Sequence, residues 1–220
     1  MEKEKAKYPL YIVLRNVISP LLRLIYKLDV KGVENIPKSG AFIVCANHTS
    51  NIDAPLLGIA MKRPVRFMSK SELYKNRALS FFFYKIGAFP VKRKNVVRGT
   101  MDTSFEILKN GEVLGIFIEG TRSKDGELLR PKSGASAIAI KANVPILPVC
   151  ISCVERRGRV KIFLKTKVEF GNIIFPEKIL KLCKTNAEPA SKPGVVGLKS
   201  DFKIINQAIM KQILEMKDRP

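Results

Sequence analysis

The chain contains a single histidine, His48, which lies five residues before an aspartate, Asp53. The apolar run before His48, residues 41–46, predicts a buried strand, and Asp53 begins the next predicted helix. In α/β proteins, loops that follow the carboxyl ends of strands carry function. The turn can bring the Asp53 carboxylate to one ring nitrogen of His48, so that the other nitrogen acts as a general base. The same spacing also fits a structural histidine and an Asp53 side chain that caps the helix.

A second predicted strand, residues 113–118, releases a polar loop of the sequence Glu119-Gly-Thr-Arg-Ser123. Gly120 permits the backbone to approach a ligand closely. Thr121 offers a hydroxyl group, and Arg122 offers a planar set of donors suited to phosphate. The loop therefore indicates an anion site, although a solvated basic loop is the alternative.

Two further basic segments follow the same logic. The run Gly87-Ala-Phe-Pro-Val-Lys-Arg-Lys94 places three consecutive cations, including Arg93, at the end of another predicted strand. The run Arg130-Pro-Lys132-Ser-Gly134 begins a helix of small residues, whose first amides can also face an anion. Each of these segments taken alone is equally compatible with a solvated basic loop.

The elements between residues 33 and 175 supply a scaffold for these loops. Short apolar runs alternate there with helical stretches, which is typical of an α/β sheet with helices on its faces. The predicted strands cover residues 41–46, 65–68, 88–91, 113–118, 146–153 and 160–170. The predicted helices cover residues 53–61, 71–86, 95–110 and 134–142. We therefore expect a mixed, largely parallel central sheet flanked by helices.

Residues 8–28 predict an amphipathic helix at the N-terminal end. Its polar side carries Arg15, Asn16, Ser19, Arg23 and Lys27, and the opposite half is apolar. Pro20 should kink this segment or divide it into two short helices. Two arginines inside a bilayer argue against a transmembrane helix, so we expect the segment to lie in the membrane interface with its cations toward the headgroups. An ordinary helix packed on the domain is the alternative.

The chain divides into three expected parts. Residues 1–31 form the amphipathic membrane-association segment, and residues 32–175 form the α/β domain. Residues 176–220 form a mobile loop and a C-terminal helix packed on the domain. Pro and Gly place that loop at residues 184–200, and Ser200 or Asp201 could cap a helix that ends near Lys217.

The charge of the chain points to an anionic partner. Its 220 residues include 40 Lys and Arg against 19 Asp and Glu, a net charge of +21. Nucleic acid, an anionic membrane surface or an acidic protein would each complement this charge. Residues 60–98 hold eleven of the cations and a single acid, so the positive field is regional. The absence of Trp and the clustering of aromatics in apolar runs disfavour nucleic acid.

The composition makes metal and redox chemistry poor candidates. One histidine and four irregularly spaced cysteines make a poor metal site and no disulfide framework. No dinucleotide or Walker glycine pattern is present, so we expect no cofactor. Cys45 lies in an apolar strand that should keep its thiol neutral, which disfavours it as a nucleophile. These features and the lack of a cleavable signal sequence favour a reducing, cytoplasmic compartment.

Four blocks in this order resemble the glycerolipid acyltransferase family, and most closely its bacterial members that acylate 1-acyl-sn-glycerol 3-phosphate. The blocks are Asn47-His-Thr-Ser-Asn-Ile-Asp53, Phe89-Pro-Val-Lys-Arg93, Glu119-Gly-Thr-Arg-Ser123 and Val144-Pro-Ile-Leu-Pro-Val149. The resemblance covers about residues 30–170. It implies His48 as the general base and Asp53 as the residue that orients it. It also implies a glycerol-phosphate site formed by Arg93, Glu119, Gly120 and Arg122, with Thr121 and Lys132 near it. Pro148 would help to shape the acyl and donor site.

The resemblance implies an activity as well. A fatty acyl group would pass from acyl-CoA or acyl-acyl carrier protein to the sn-2 hydroxyl of lysophosphatidic acid, giving phosphatidic acid. The reaction needs no metal and no cofactor. The enzyme would be peripheral or monotopic at the cytoplasmic face of the cell membrane, on an anionic surface. The alternatives are the first acylation, on glycerol 3-phosphate, and a non-catalytic basic module that binds membranes or nucleic acid.

Overall fold

A computed structural model describes residues 8–91, 99–153, 165–185 and 195–219. In these ranges the helices are α1 (Pro9–Ile25), α2 (Asp53–Ala60), α3 (Arg77–Lys85), α4 (Gly99–Lys109), α5 (Gly134–Ala142), α6 (Pro176–Thr185) and α7 (Val195–Lys217). The strands are β1 (Asp29–Lys31), β2 (Phe42–Ala46), β3 (Val65–Lys70), β4 (Phe89–Val91), β5 (Val113–Phe117), β6 (Ile146–Cys153) and β7 (Thr166–Phe170). Short 3-10 helices cover Val33–Asn35 and Ser71–Tyr74.

The strands form one seven-stranded sheet in the order β1-β7-β6-β2-β5-β3-β4. Every neighbouring pair is parallel except β6 and β7, which are antiparallel. The mixed, largely parallel sheet that the sequence predicts is therefore confirmed. Because β6, β2, β5, β3 and β4 run in the same direction, the loops at their carboxyl ends lie along one edge of the sheet.

Helices cover both faces of this sheet, and strand β2 shows the consequence. All five of its residues are buried, as expected for a strand packed on both sides. Ile43 and Cys45 point into the apolar layer shared with α4, α5 and α7. Phe42, Val44 and Ala46 point into the opposite layer, which α2 covers. Burial on both faces makes β2 a rigid platform for the loop that follows it.

Helix α1 lies over α2 and is held to the domain by Tyr11 and Arg15, whereas Asn16 and Arg23 are exposed. The Tyr11 hydroxyl donates to the carbonyl oxygen of Gly58 at 2.8 Å, and the Arg15 guanidinium donates to the carbonyl oxygens of Met61 and Lys62. The expectation that Arg15 faces headgroups is thus wrong, because its guanidinium binds the carbonyl oxygens of the two residues that follow α2. The outward side of α1 is apolar and exposed, at Val13, Val17, Leu21 and Leu24. Among the described residues, no helix has both the length and the apolar character that crossing a bilayer requires.

Three expected boundaries differ from the structure. Pro20 does not divide α1, which continues through it, since a proline removes only one backbone donor from a helix. Residues 29–31, expected to belong to the N-terminal helical segment, instead form strand β1, which joins the sheet by pairing with β7. Helix α6 covers residues 176–185, for which no helix is predicted from the sequence, and α7 begins at Val195, within the loop predicted at 184–200, rather than at Ser200 or Asp201.

The C-terminal helix packs on the domain as expected. Ile205, Ile209, Ile213 and Met216 of α7 are buried in the layer beneath the sheet. Some expectations lie outside the described residues. They concern the start of the helix predicted at 95–110, the start of the strand predicted at 160–170, and residues 186–194 of the predicted loop.

Candidate active site

His48 and Asp53 meet in the loop between β2 and α2. The Nδ1 atom of His48 lies 2.8 Å from Oδ2 of Asp53. The same oxygen accepts hydrogen bonds from the backbone amides of Thr49, at 2.7 Å, and Ser50, at 2.8 Å. Asp53 is only 1% exposed. Three donors on one buried oxygen hold both the carboxylate and the turn that carries His48.

This arrangement fixes the role of each ring nitrogen. A carboxylate only accepts hydrogen bonds, so Nδ1 of His48 carries the proton and donates it. Nε2 then keeps its lone pair and can accept a proton from a substrate. The alternative in which Asp53 caps helix α2 is wrong. Ile52 occupies the N-cap position, without a side-chain cap, because the Asp53 carboxylate binds the preceding loop.

Phe117 forms one wall of the site and was not predicted from the sequence. Its ring stacks on the imidazole of His48 with 3.9 Å between centroids and 12° between planes. Phe117 ends β5 and lies opposite Ala46 in the register with β2. The contact joins adjacent strands, so spacing within one segment could not reveal it. The signal that could have found it is an aromatic residue directly before the loop that begins at Ile118.

The loop after β5 is tied to the loop that carries His48. The backbone amide of Ser123 donates to the carbonyl oxygen of His48 at 2.8 Å. The Arg122 guanidinium donates to the side-chain oxygen of Asn51, also at 2.8 Å. Asn51 was another residue missed at the sequence level, although it lies inside the first matching block. The two loops therefore form one unit at the carboxyl edge of the sheet.

Glu119 is buried at the base of this unit, with an exposure of 1%. Neither of its carboxylate oxygens makes a hydrogen bond of normal geometry. Burial raises the pKa of Glu119, and the nearby backbone groups of His48 and Leu129 oppose that rise only in part. The charges of His48 and Asp53 also act on this carboxylate. Glu119 therefore lies behind the His48–Asp53 pair rather than on the exposed surface of the loop.

The exposed surface of the loop is formed by Gly120, Thr121, Arg122 and Lys132. Gly120 has a φ of +67°, and an added Cβ would lie 3.1 Å from Cδ of Lys132. Glycine is favoured there both by the left-handed backbone and by the lysine side chain that crosses it. The backbone amide of Lys132 donates to the carbonyl oxygen of Ile118 at 2.8 Å, which holds this lysine beside the loop. Two cations thus lie on accessible side chains of the loop that is tied to the loop carrying His48.

Other elements hold the two loops from behind. The Asn47 side chain donates to the carbonyl oxygen of Ile151 at 2.9 Å and accepts from its amide at 2.7 Å, which ties the end of β2 to β6. Farther along the second loop, the ammonium group of Lys217 on α7 donates to the carbonyl oxygen of Gly126 at 3.1 Å. Asn47 was quoted in a matching block without a role, and the contact assigns it a structural one.

The structure describes only one of the two remaining predicted site residues. Pro148 is buried inside β6, opposite Cys45 in the register. Its part in an acyl or donor site stays a prediction. Arg93 lies outside the described residues. The Cys45 thiol is fully buried, and burial raises its pKa far above the ordinary range of a cysteine, which supports the expectation that it is not a nucleophile.

Comparisons with known proteins find relatives of this chain. The family model described as Acyltransferase matches residues 27–152. The 1-acyl-sn-glycerol-3-phosphate acyltransferase of Bacillus subtilis (strain 168) is 33% identical over 140 residues, which cover 63% of this chain and 69% of that protein. A chloroplastic 1-acyl-sn-glycerol-3-phosphate acyltransferase of Brassica napus is 34% identical over 130 residues, covering 57% of this chain and 37% of that protein.

A solved structure supports the same relationship across nearly the whole chain. The crystal structure of the 1-acyl-sn-glycerophosphate acyltransferase PlsC from Thermotoga maritima matches with a TM-score of 0.67 and 27% identity. The match covers 99% of this chain and 84% of that one. The family match, the relatives and the shared fold lead to one conclusion. This chain belongs to the acyltransferase family.

Proposed function

We propose that the protein transfers a fatty acyl group from a thioester donor to the sn-2 hydroxyl of 1-acyl-sn-glycerol 3-phosphate, giving phosphatidic acid. The observation that carries the proposal is the His48–Asp53 pair, with its 2.8 Å contact, beside the exposed cations of the loop after β5. The relatives from Bacillus and Brassica are both named for this substrate. A base next to an anion site fits an acceptor that carries both a hydroxyl and a phosphate.

The His48 ring moves the proton in the proposed reaction. Nε2 takes the proton of the acceptor hydroxyl while the oxygen attacks the thioester carbonyl carbon, and a C–O bond forms. The imidazolium that results is stabilised by the Asp53 carboxylate at Nδ1. Collapse of the tetrahedral intermediate breaks the C–S bond, and His48 returns the proton to the departing thiolate. The histidine is regenerated and no acyl-enzyme intermediate is required.

The cations of the second loop bind the acceptor phosphate in this proposal. Arg122 supplies a planar donor pair, and Lys132 supplies a point charge beside Gly120. Thr121 adds a hydroxyl on the same exposed surface, and Arg93 is the further cation that the sequence assigns to the site. Glu119, buried behind the loop, contributes negative charge that favours the imidazolium form of His48 rather than a contact with phosphate.

The outward apolar side of α1 supports a membrane location. Val17 is 70% exposed and Leu24 is 73% exposed, which is costly in water and favourable in a bilayer interface. Helix α3 touches α1 and exposes Leu79, Phe81, Phe82 and Tyr84. The net charge of +21 favours anionic lipid. The protein would thus be peripheral or monotopic at the cytoplasmic face of the membrane, where its acyl acceptor resides.

The donor is acyl-CoA or acyl-acyl carrier protein, since both present the thioester that the base chemistry requires. The acidic carrier protein would be steered by the positive surface. Glycerol 3-phosphate remains the alternative acceptor, because it carries the same phosphate and a hydroxyl. A binding module without catalysis remains the alternative outside the enzyme class.

One experiment separates these possibilities. Thiol release is measured from acyl-CoA and from acyl-acyl carrier protein, with either dispersed 1-acylglycerol 3-phosphate or glycerol 3-phosphate as acceptor. The proposal predicts release that depends on the lysolipid. Release only with glycerol 3-phosphate would place the protein at the first acylation. Release with neither acceptor, in the presence of lipid, would favour the binding module.

A further inference from the structure

The general base is the end of a column of three aromatic rings. His48 stacks on Phe117, and Phe117 stacks in turn on Phe67, with 5.7 Å between centroids and 16° between planes. The three rings come from the loop after β2, from β5 and from β3. All three are partly buried. The imidazole plane is therefore set by β5 as well as by the Asp53 hydrogen bond.

The column of rings depends on Gly115, because a residue without a side chain leaves room there for Phe67. Gly115 pairs with Phe67 in the register of β3 and β5 and lies two residues before Phe117. A Cβ atom there would lie 2.5 Å from the Phe67 ring. Real Cβ atoms do not approach a ring so closely, so any larger residue would push Phe67 away from Phe117. The sequence therefore builds the column with a glycine in the middle of a strand, where glycine is otherwise unfavourable.

The stack places the face of the Phe117 ring against the imidazole, with 3.9 Å between centroids. A cation over the face of an aromatic ring is attracted by the ring quadrupole. In the described part of the chain, two carboxylates act on His48. They belong to Asp53, on α2, and to Glu119, after β5. Phe117 thus adds a favourable interaction at the face of the imidazolium, whereas Asp53 acts on its Nδ1 atom.

We propose that Phe117 is a positioning residue for the general base, which fixes the plane of the His48 ring and stabilises its imidazolium form. The inference rests on the proposed function, in which that form appears only after His48 accepts the hydroxyl proton. An interaction that is stronger in the charged state lowers the barrier of this step more than it stabilises the resting enzyme. Phe67 and Gly115 act through Phe117 by keeping its ring in place.

The single histidine of the chain makes a direct test possible. The ring protons of His48 are followed by NMR as the pH is changed, without substrate, in the wild type and in Phe117→Leu. We expect the midpoint of His48 protonation to move to lower pH by about 0.4–1.5 units in the leucine variant. The ring-current shift that Phe117 imposes on these protons should also disappear. Phe117→Tyr, which keeps the ring face, should retain both properties.

The results for the leucine and tyrosine variants distinguish a positioning role of Phe117 from a merely structural one. An unchanged or higher midpoint in a folded Phe117→Leu protein would overturn the proposal, and so would a tyrosine variant that behaves like the leucine variant. If the leucine variant does not fold, Phe117→Met takes its place, because methionine fills a similar volume without a ring. The titration uses no substrate. A wild type without acyl transfer would overturn the proposed function alone, whereas an unchanged midpoint would overturn the role of Phe117 alone.

Discussion

Oδ2 of Asp53 accepts a hydrogen bond from Nδ1 of His48 at 2.8 Å, and the same oxygen accepts hydrogen bonds from two backbone amides of the connecting turn. The carboxylate is therefore already fixed before any substrate binds, and it fixes the histidine in the tautomer that a base requires. Such preorganisation means that the positive charge formed during transfer meets a negative group that does not have to move. The charge of Asp53, rather than its shape, should then carry most of its effect.

Asp53→Asn tests the effect of that charge. An asparagine oxygen can keep the two amide hydrogen bonds, but it offers no negative charge to the imidazolium. We expect kcat to fall by about 10⁴-fold, as for the equivalent change in other histidine–aspartate pairs, while the melting temperature changes little. Asp102→Asn on the exposed side of α4 is the matched control and should leave kcat unchanged. A fall of less than about tenfold in Asp53→Asn would argue that the pair is structural.

Glu119→Gln should raise the stability of the protein and lower its activity. Burial raises the pKa of Glu119, so the ionised form costs stability at high pH. A raised folded pKa means that stability is lost as the pH rises from the unfolded value of about 4.5. The variant should therefore melt higher than the wild type at pH 8, by about 2–4 °C for each kcal/mol recovered. The difference should vanish near pH 4, and activity should fall because negative charge near His48 is lost.

Thermal melts at several pH values check this prediction. Glu106→Gln, on an exposed position of α4, removes a carboxylate that is not buried and should leave the melting temperature nearly unchanged. A Glu119→Gln protein that melts at a lower temperature than the wild type at pH 8 would contradict this, because it would mean that the ionised carboxylate stabilises the fold.

Arg122→Ala should weaken binding of the acyl acceptor more than binding of the acyl donor. A charge-assisted hydrogen bond contributes about 1.5–3 kcal/mol, so the KM for 1-acylglycerol 3-phosphate should rise by about 10- to 100-fold. The KM for the thioester should change by less than about twofold. Lys124→Ala removes an exposed cation of the same loop and is the matched control. Because Arg122 also binds Asn51, Asn51→Ala should be measured as well, and it should raise the KM less. Equal effects on both substrates would contradict the phosphate assignment.

Leu24→Asp on the outward side of α1 should weaken binding to vesicles. Transfer of one such side chain out of water contributes about 1.5–3 kcal/mol, so partitioning should fall by roughly tenfold or more. Asn16→Asp adds the same charge on the side of α1 that carries its polar residues and should have a small effect. Sedimentation with vesicles of mixed neutral and anionic lipid gives both values. Equal loss in the two variants would indicate that charge alone, and not the apolar side, sets the binding.

The parts of the fold that sequence predicts are those with local causes. The burial of β2 and the contact between His48 and Asp53 depend on residues close together in the chain, and the structure contains both. The orientation of α1 could not be predicted in the same way. Its periodicity reveals an apolar side, but only the carbonyls of Met61 and Lys62 at the end of α2 determine that the Arg15 side faces the domain.

Other features depend on contacts between distant segments or on weak local signals. The stack of Phe117 on His48 joins the end of β5 to the loop after β2, and the local signal for it is weak, namely an aromatic residue at the end of a strand. Helix α6 had a signal that could have been used, since Pro176 occupies its first position and Glu177 follows in the first turn. Continuation of α1 through Pro20 depends on the cost of one lost hydrogen bond against the contacts of the whole helix, which a sequence pattern does not weigh.

The most direct test of the central claim is the formation of phosphatidic acid by the wild type and by His48→Ala. Labelled 1-acylglycerol 3-phosphate and a thioester donor are mixed with excess enzyme on vesicles, and the diacyl product is measured over a single turnover. If His48 is the general base, the rate should fall by about 10²–10⁴-fold in the variant, while vesicle binding and the melting temperature remain those of the wild type. A folded, membrane-bound His48→Ala protein that forms phosphatidic acid at nearly the wild-type rate would contradict the account.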